Sequence, residues 1–357
     1  MKIDTTKLLR AELANMQAYH VPDTSGLIKL DAMENPFAFP ASLRDAWLNE
    51  LEKVELNRYP NPQAFELKKT FQRIFSLSPK LELMFGNGSD ELIQLLVMAI
   101  AKPNATVLTV TPSFSMYKLI AEYVGVNVVE VPLQANSFAL DMGALIEKIS
   151  AHDPAIIFLA CPNNPTGTLW PQNEVEEIIK QSAGLVVVDE AYSPFASYSM
   201  MSLVEQYPHA IMMRTVSKMG LAGLRLGWML GDPQWMSELN KMRLPYNINA
   251  LTQASANFAL QNINAFDEQA KQICQQREVL AKALQSIDKL QVFASEANFI
   301  LFKVLKGSAN DVFQSLLNNK IIIKNVSNQD LLENCLRVTV GTEQENQAFI
   351  KVLTASL

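Results

Sequence analysis

Val186 to Tyr192 reads VVVDEAY, and Arg214 to Trp228 reads RTVSKMGLAGLRLGW. The first stretch is a short apolar run closed by a carboxylate, Asp189, with a phenol three residues on at Tyr192. A run without polar alternation fits a parallel strand covered on both faces. In open parallel sheets, ligands sit just beyond the carboxyl ends of such strands. The second stretch holds one lysine, Lys218, after Ser217 and among small or flexible residues, with Arg225 seven positions later. Either piece alone is commonplace in an α/β protein and assigns no function. Their joint occurrence and order carry the information.

Lysine, aspartate, tyrosine, serine and arginine together suit a pyridoxal phosphate site. The lysine amine can condense with the aldehyde, and an acid beside the pyridine nitrogen holds its proton there and makes the ring an electron sink. At an effective dielectric near 20, such a close pair is worth roughly 4 kcal/mol before desolvation. Serine and the two-pronged arginine suit the phosphate.

Composition narrows the alternatives. The chain has 357 residues, 49% hydrophobic and 18% charged, an ordinary globular balance for one large domain plus a smaller one. With a net charge of −6 and no basic block, it is not built for a nucleic-acid or anionic-membrane surface. The opening MKIDTTKLLRAEL lacks the apolar core of a signal peptide, and Leu92 to Ala101 is too short to span a bilayer. Cys161, Cys274 and Cys335 are an odd, scattered set, which fits a reducing compartment and so the cytoplasm. His20, His152 and His209 lie far apart, so neither a zinc site nor a Ser-His-Asp hydrolase is supported and no metal is expected.

Outward from the lysine, several segments add to the case. GNGSDELIQLLVMAIA (Gly86 to Ala101) reads as a glycine turn feeding a helix whose start, at Ser89 and Asp90, is a natural phosphate seat. Ser89 and backbone N–H groups are expected to face the anion, with the carboxylates turned aside. A dinucleotide loop is the rival, but GNGSDE lacks the third glycine at the required spacing. AIIFLACPNNPTGTLWP (Ala155 to Pro171) is a buried strand followed by a polar loop holding Asn164. NRYPNPQAFELKKTF (Asn57 to Phe71) gives Tyr59 a stiff entry ahead of a helix. A helix is expected near Ala41-Ser42, and a long one from Phe266 to Leu290 leading to strands NFILFKV, IIIKNV and CLRVTVG.

LDAMENPF, RYPNPQ, TPSFSMY, NPTG, DEAY, SK and LRVTVG occur in the order found in fold-type I aminotransferases, and the chain most closely resembles the histidinol-phosphate aminotransferase branch. The resemblance covers almost the whole chain. It implies a large domain with a mostly parallel seven-stranded sheet flanked by helices, plus a smaller α+β carboxyl-terminal domain. The expected division is residues 1–50 as an arm and part of the small domain, 51–275 as the cofactor domain, and 276–357 as the small domain.

The resemblance also implies roles. Lys218, Asp189, Tyr192 and Asn164 are the expected catalytic group, and Ser89, Asp90, Phe114, Ser217 and Arg225 join them around pyridoxal phosphate. Tyr59 is expected to reach the phosphate of a neighbouring subunit's cofactor, which implies a homodimer. Tyr19, Asn35, Lys324 and Arg337 are expected at the substrate. Alternatives from the residues alone stay open. Asn35 also reads as a turn asparagine, Tyr59 as a structural tyrosine, Phe114 and Tyr117 as one core face of a helix, and Arg337 as the partner of a structural carboxylate. Three departures stand out: Met33 where asparagine is common, Phe114 where tyrosine is common, and Lys324 where some relatives carry arginine. The implied activity interconverts histidinol phosphate and imidazole acetol phosphate with glutamate and 2-oxoglutarate, in L-histidine biosynthesis. An aromatic amino acid aminotransferase, or a decarboxylase of a phosphorylated amino acid, is the alternative. A cofactor-binding regulator on the same fold is disfavoured by the retained Lys218.

Overall fold

The computed structural model describes residues 7–10, 16 and 23–357. A first strand, β1 (Ile28–Leu30), is followed by β2 (Glu82–Gly86), β3 (Thr106–Thr111), β4 (Asn127–Pro132), β5 (Ile156–Ala160), β6 (Leu185–Asp189), β7 (Ala210–Thr215) and β8 (Gly227–Gly231). The last seven of these form one sheet in the order β2-β8-β7-β6-β5-β3-β4. β8 runs antiparallel to both neighbours, and every other pairing in the sheet is parallel. β5 and β6 are buried along their whole length. Their lack of alternation follows from cover on both faces.

That cover is visible in the packing. Alternate residues of the sheet enter two separate cores. Val187, Phe158, Ile211 and Met229 pack with the helices Ser89–Ile100 and Met116–Val124. Val186, Val188, Ile157 and Trp228 pack on the opposite face with Phe65–Ile74, Gln172–Gln181 and Ala250–Gln261. Burying each large apolar side chain contributes roughly 1.5–3 kcal/mol, so the strand ends that meet the site are held rigidly.

Four more strands, β9 (Leu290–Val292), β10 (Phe299–Val304), β11 (Ile321–Asn325) and β12 (Cys335–Thr339), complete a second sheet in the order β1-β11-β12-β10-β9. β1 pairs parallel with β11, which brings the amino-terminal LDAMENP segment beside the carboxyl-terminal strands. Of this segment only Ile28–Leu30 is strand, and the LDAMENPF motif continues past it as a loop. The expected Phe266 to Leu290 helix runs from Ile263 to Gln285 and continues unbroken through residue 275. Trp47, from the helix Arg44–Leu51, donates to Ser255 Oγ at 3.0 Å and so packs on the large-sheet layers.

Candidate active site

A cavity of about 220 Å³ opens at the carboxyl ends of β5, β6 and β7, where parallel sheets place their ligands. It is lined by Ser89, Asp90, Phe114, Asn164, Asp189, Tyr192, Ser217, Lys218 and Arg225 among others. Nine residues expected from the sequence are therefore brought together from six separate segments.

Asp189 ends β6 and is buried. Its Oδ2 accepts the Tyr117 hydroxyl at 2.7 Å, and its Oδ1 accepts the Ala191 N–H at 3.0 Å. Burial pushes its carboxyl up to about 6 against the lowering effect of these two bonds. Lys218 follows β7 by one short turn, and its Nζ lies 5.6 Å from the centre of the Tyr192 ring. Burial, assisted by the Arg337 charge, lowers that amine to about 8. Burial raises the Tyr192 phenol above its ordinary value, so it stays protonated at neutral pH.

The β5 loop is pinned by Asn163, whose Nδ2 donates to Pro112 O at 3.0 Å and to Thr166 Oγ1 at 2.9 Å, and whose Oδ1 accepts Ser113 Oγ at 2.8 Å. This staple fixes Asn164 next to it. Gly167 turns the loop with φ +78°, and a Cβ there would meet Ser295 Oγ at 2.5 Å.

On the other side, helix Ser89–Ile100 begins at the cavity with Gly88 before it and no side-chain cap. Its first N–H groups have no partners within the helix. Arg225 reaches over Gly88: a Cβ on Gly88 would sit 2.7 Å from Arg225 Nη2, and one on Gly227 would sit 2.6 Å from Ser89 N. Of the two acids in this turn, Glu91 does turn aside, its Oε2 accepting Asn87 N–H at 2.6 Å and Asn247 Nδ2 at 2.8 Å. Asp90 stays on the cavity wall, 3.8 Å from Arg225, and burial raises its carboxyl.

The loop after β1 supplies the opposite wall through Ala32, Met33 and Glu34, with the second sheet behind it. Arg337 of β12 is buried; its Nη1 donates to Asn164 Oδ1, its Nη2 to the Asp31 carbonyl at 2.8 Å, and it lies 5.2 Å over the Phe299 ring. Its register partner in β11, Lys324, is exposed, and neither of the two is part of the cavity lining. Asn35 is not part of the cavity lining: its Oδ1 closes a turn on Phe37 N–H at 2.8 Å, and its Nδ2 donates to Gln269 at 3.0 Å and Met219 O at 3.3 Å. Its neighbours Met33 and Glu34 line the cavity instead. Tyr59 is 80% exposed and lies away from this chain's cavity, its ring stacked on Tyr246 at 4.6 Å. Tyr19 lies outside the described residues.

Sequence reasoning passed over Tyr117, Thr215, Glu34 and Asn163. Thr215, Glu34 and Asn163 adjoin motifs that were read, while Tyr117 lies inside one, TPSFSMY, but was given no role beside the core-face reading. Among the described residues, no group of three or more His, Cys, Asp or Glu side chains is placed to hold a metal.

A sheet with this topology and a buried acid, an amine of lowered basicity and an uncapped helix start at one cavity defines a class of group-transfer enzyme. The model of the class I and II aminotransferases matches residues 25–353, and the chain belongs to that family. It is 48% identical over 348 residues to histidinol-phosphate aminotransferase 2 of Nitrosococcus oceani, covering 97% of this chain and 96% of that one. It is 44% identical over 354 residues to the histidinol-phosphate aminotransferase of Chromobacterium violaceum, covering 99% of each. In fold it matches the histidinol-phosphate aminotransferase of Sinorhizobium meliloti, solved with pyridoxal-5'-phosphate, with a TM-score of 0.84 at 24% identity over 92% of this chain and 90% of that one.

Family membership carries with it the pyridoxal phosphate that the sequence implies, and the cavity fits that group on three counts. Gly88 and Gly227 let Arg225 and β8 close directly onto the helix start, where any Cβ would clash. The uncapped helix start and Arg225 supply donors and positive charge for a phosphate. A buried carboxylate and an amine of lowered basicity line the same space.

Proposed function

We propose that this chain transfers the amino group between histidinol phosphate and 2-oxoglutarate, reversibly giving imidazole acetol phosphate and glutamate, as a cytoplasmic homodimer in L-histidine biosynthesis. The observation that carries the substrate reading is the small-sheet wall. Arg337 is buried behind the cavity lining and bonded to Asn164, and Lys324 is its register partner in the next strand, so the substrate phosphate is assigned to this cationic side. The names and full-length identity of the Nitrosococcus and Chromobacterium relatives support it.

Bound pyridoxal phosphate supplies an aldehyde for the amino group and a ring that accepts the electron pair left on the substrate carbon. The chain's residues do the rest. Lys218 Nζ, whose basicity is lowered to about 8, would hold the cofactor through its aldehyde and carry the proton of the substrate carbon. Asp189 would present its carboxylate to the pyridine nitrogen. Asn164 and Tyr192 would donate to the phenolate oxygen, and Phe114 would cover the ring face. Ser89, Ser217, Arg225 and the first N–H groups of the helix would hold the phosphate, with Asp90 tempering the charge of Arg225. Arg337 orients the incoming substrate, and the β5 loop pinned by Asn163 keeps Asn164 in place.

The homodimer reading is supported by the surface around Tyr59. Exposed Leu56 and Leu251 flank the Tyr59–Tyr246 stack in one surface hollow, an apolar area suited to a second copy. In that arrangement Tyr59 of the partner subunit completes the phosphate seat. No helix among the described residues is long and apolar enough to cross a membrane.

A second reading, transamination of aromatic amino acids, is favoured by Lys324: one buried guanidinium plus an exposed lysine also suits a lone carboxylate. The deciding experiment follows the cofactor absorbance of the loaded protein while histidinol phosphate, glutamate, phenylalanine or tyrosine is added singly. Rapid conversion by histidinol phosphate, with little response to aromatic amino acids, is the expected result. Preference for phenylalanine or tyrosine would replace this reading with the second.

A further inference from the structure

Tyr117 lies at the start of the helix Met116–Val124 and is fully buried. Its ring stacks on Phe158 at 4.7 Å and 5° and meets Phe114 edge-on at 5.5 Å. A buried tyrosine hydroxyl needs a partner. Any nearby carbonyl would have served, yet the hydroxyl donates to the functional carboxylate, at 2.7 Å from Asp189 Oδ2. Fold register explains how the two meet. Asp189 is two residues beyond Val187 and points to the same face of the sheet, the face on which this helix packs.

The consequence is orientation. Oδ2 is held by Tyr117 and Oδ1 by the Ala191 N–H, so one donor on each oxygen fixes the carboxylate plane where it lines the cavity. Without the hydroxyl, the group is free to turn about its last bond. The surroundings make the bond matter for charge as well. Asp90 from helix Ser89–Ile100, Glu190 next in sequence, Cys161 beyond β5 and Tyr192 beyond β6 all add negative or no charge near Asp189, and Lys218 stands across the cavity. The Tyr117 and Ala191 hydrogen bonds, in that order, oppose burial in keeping the carboxylate ionised. Bonds from a neutral donor to a buried charge are the stronger kind.

We propose that Tyr117 is a positioning residue for the cofactor, its hydroxyl fixing both the orientation and the ionised state of Asp189 toward the pyridine nitrogen. This inference rests on the family's cofactor site and not on the identity of the substrate.

Tyr117→Phe keeps the ring and its stacking and removes only the hydroxyl. Two readouts independent of turnover decide the matter: the rate at which pyridoxal phosphate leaves the loaded protein, and the pH at which its affinity falls on the acid side. The expected result is release about tenfold faster or more, from loss of a hydrogen bond to a charged group, with the acid limb moved up by about one pH unit. A core role alone would lower the melting temperature and move neither readout, and that outcome overturns the proposal. Tyr117→His, which returns a ring N–H donor, is expected to fall between the other two. A folded His variant that matches Phe in both readouts would likewise overturn it. Wild-type protein that takes up no pyridoxal phosphate would remove the cofactor reading itself, a result distinct from a variant that behaves as wild type.

Discussion

The two walls of the cavity are built on opposite terms. On the large-sheet side, Asp189, Asn164 and Lys218 stand at the ends of buried strands, and each position is set by packing on both faces. On the small-sheet side, Arg337 is buried behind the lining, while its register partner Lys324 is exposed and Glu34 is half solvent-facing in a pair with Lys29 at 2.5 Å. Charges in the first setting are costly to place and hard to move, whereas exposed pairs are worth about 0–1 kcal/mol. Reaction chemistry therefore sits where geometry is rigid. Substrate choice sits where a single substitution is cheap. A family built this way can change its substrate without disturbing its chemistry.

The sharpest way to break this contrast is at Lys218. Lys218→Ala removes the amine that moves the substrate proton, and turnover with any amino donor is expected to fall about 10⁴-fold, the upper range for a positioned proton transfer. The loss should be the same for histidinol phosphate and glutamate in single-turnover measurements. A mutant with normal glutamate transamination would show that the rigid wall is not the chemical one.

Asp189→Asn comes next, with turnover lower by about 10²-fold or more as the charge beside the pyridine nitrogen disappears. Its stability effect has the opposite sign. The folded carboxyl is raised to about 6 from 3.8, so between those values the folded state holds more protons than the unfolded state. The stability of the cofactor-free protein must then decline as pH rises from about 4 to 6, and the cost persists above it. The variant lacks this decline. Urea titrations of both cofactor-free proteins at pH 4 and pH 7 check it: the difference between them should shift in favour of the variant by about 1–3 kcal/mol. An unchanged difference would mean that Asp189 is already ionised without effort.

How far each wall could be read in advance follows the same division. The apolar runs of β5 and β6 and the lysine after β7 are local patterns, so Asp189, Asn164, Ser217 and Lys218 were legible from the chain alone. The antiparallel β8 was not, because Gly227–Gly231 carries no local mark of direction; only its pairing with β2 and β7 sets it. Tyr117 read as a core aromatic and does pack as one, but its hydroxyl partner is 72 residues away. Asn35 shows the reverse. Its motif pointed to substrate, while an Asn-Pro sequence is equally a turn, and the turn bonds consume the side chain. Contacts between β1 and the carboxyl-terminal strands, which place Glu34 at the cavity, depend on pairing between the two ends of the chain.

Arg337→Lys tests the one buried member of the adaptable wall. Charge is kept, but the fork that serves Asn164 and the Asp31 carbonyl at once is lost. KM for the preferred substrate should rise about 10- to 100-fold, the worth of one or two charge-assisted bonds, with a smaller change in kcat. An equal fall in kcat with KM unmoved would place Arg337 with the chemical wall instead.

Lys324→Ala has the smallest expected effect and sharpens the comparison most. An exposed ammonium facing a phosphate interacts through solvent and is worth about 1 kcal/mol at close range, so KM for histidinol phosphate should rise about fivefold at low salt. Glutamate and phenylalanine, which carry no phosphate, should change by less than about twofold. The difference should close near 1 M salt, where screening shortens to about 3 Å. Lys324→Arg should act in the other direction, because a planar fork grips phosphate oxygens in pairs where an ammonium offers a point charge. Equal effects of Lys324→Ala on all three amines, or a difference that survives high salt, would mean that the lysine acts by holding the strand pair and not by reading phosphate. In that case the buried Arg337 alone selects the substrate, and selection by one guanidinium fits a carboxylate as well as it fits a phosphate.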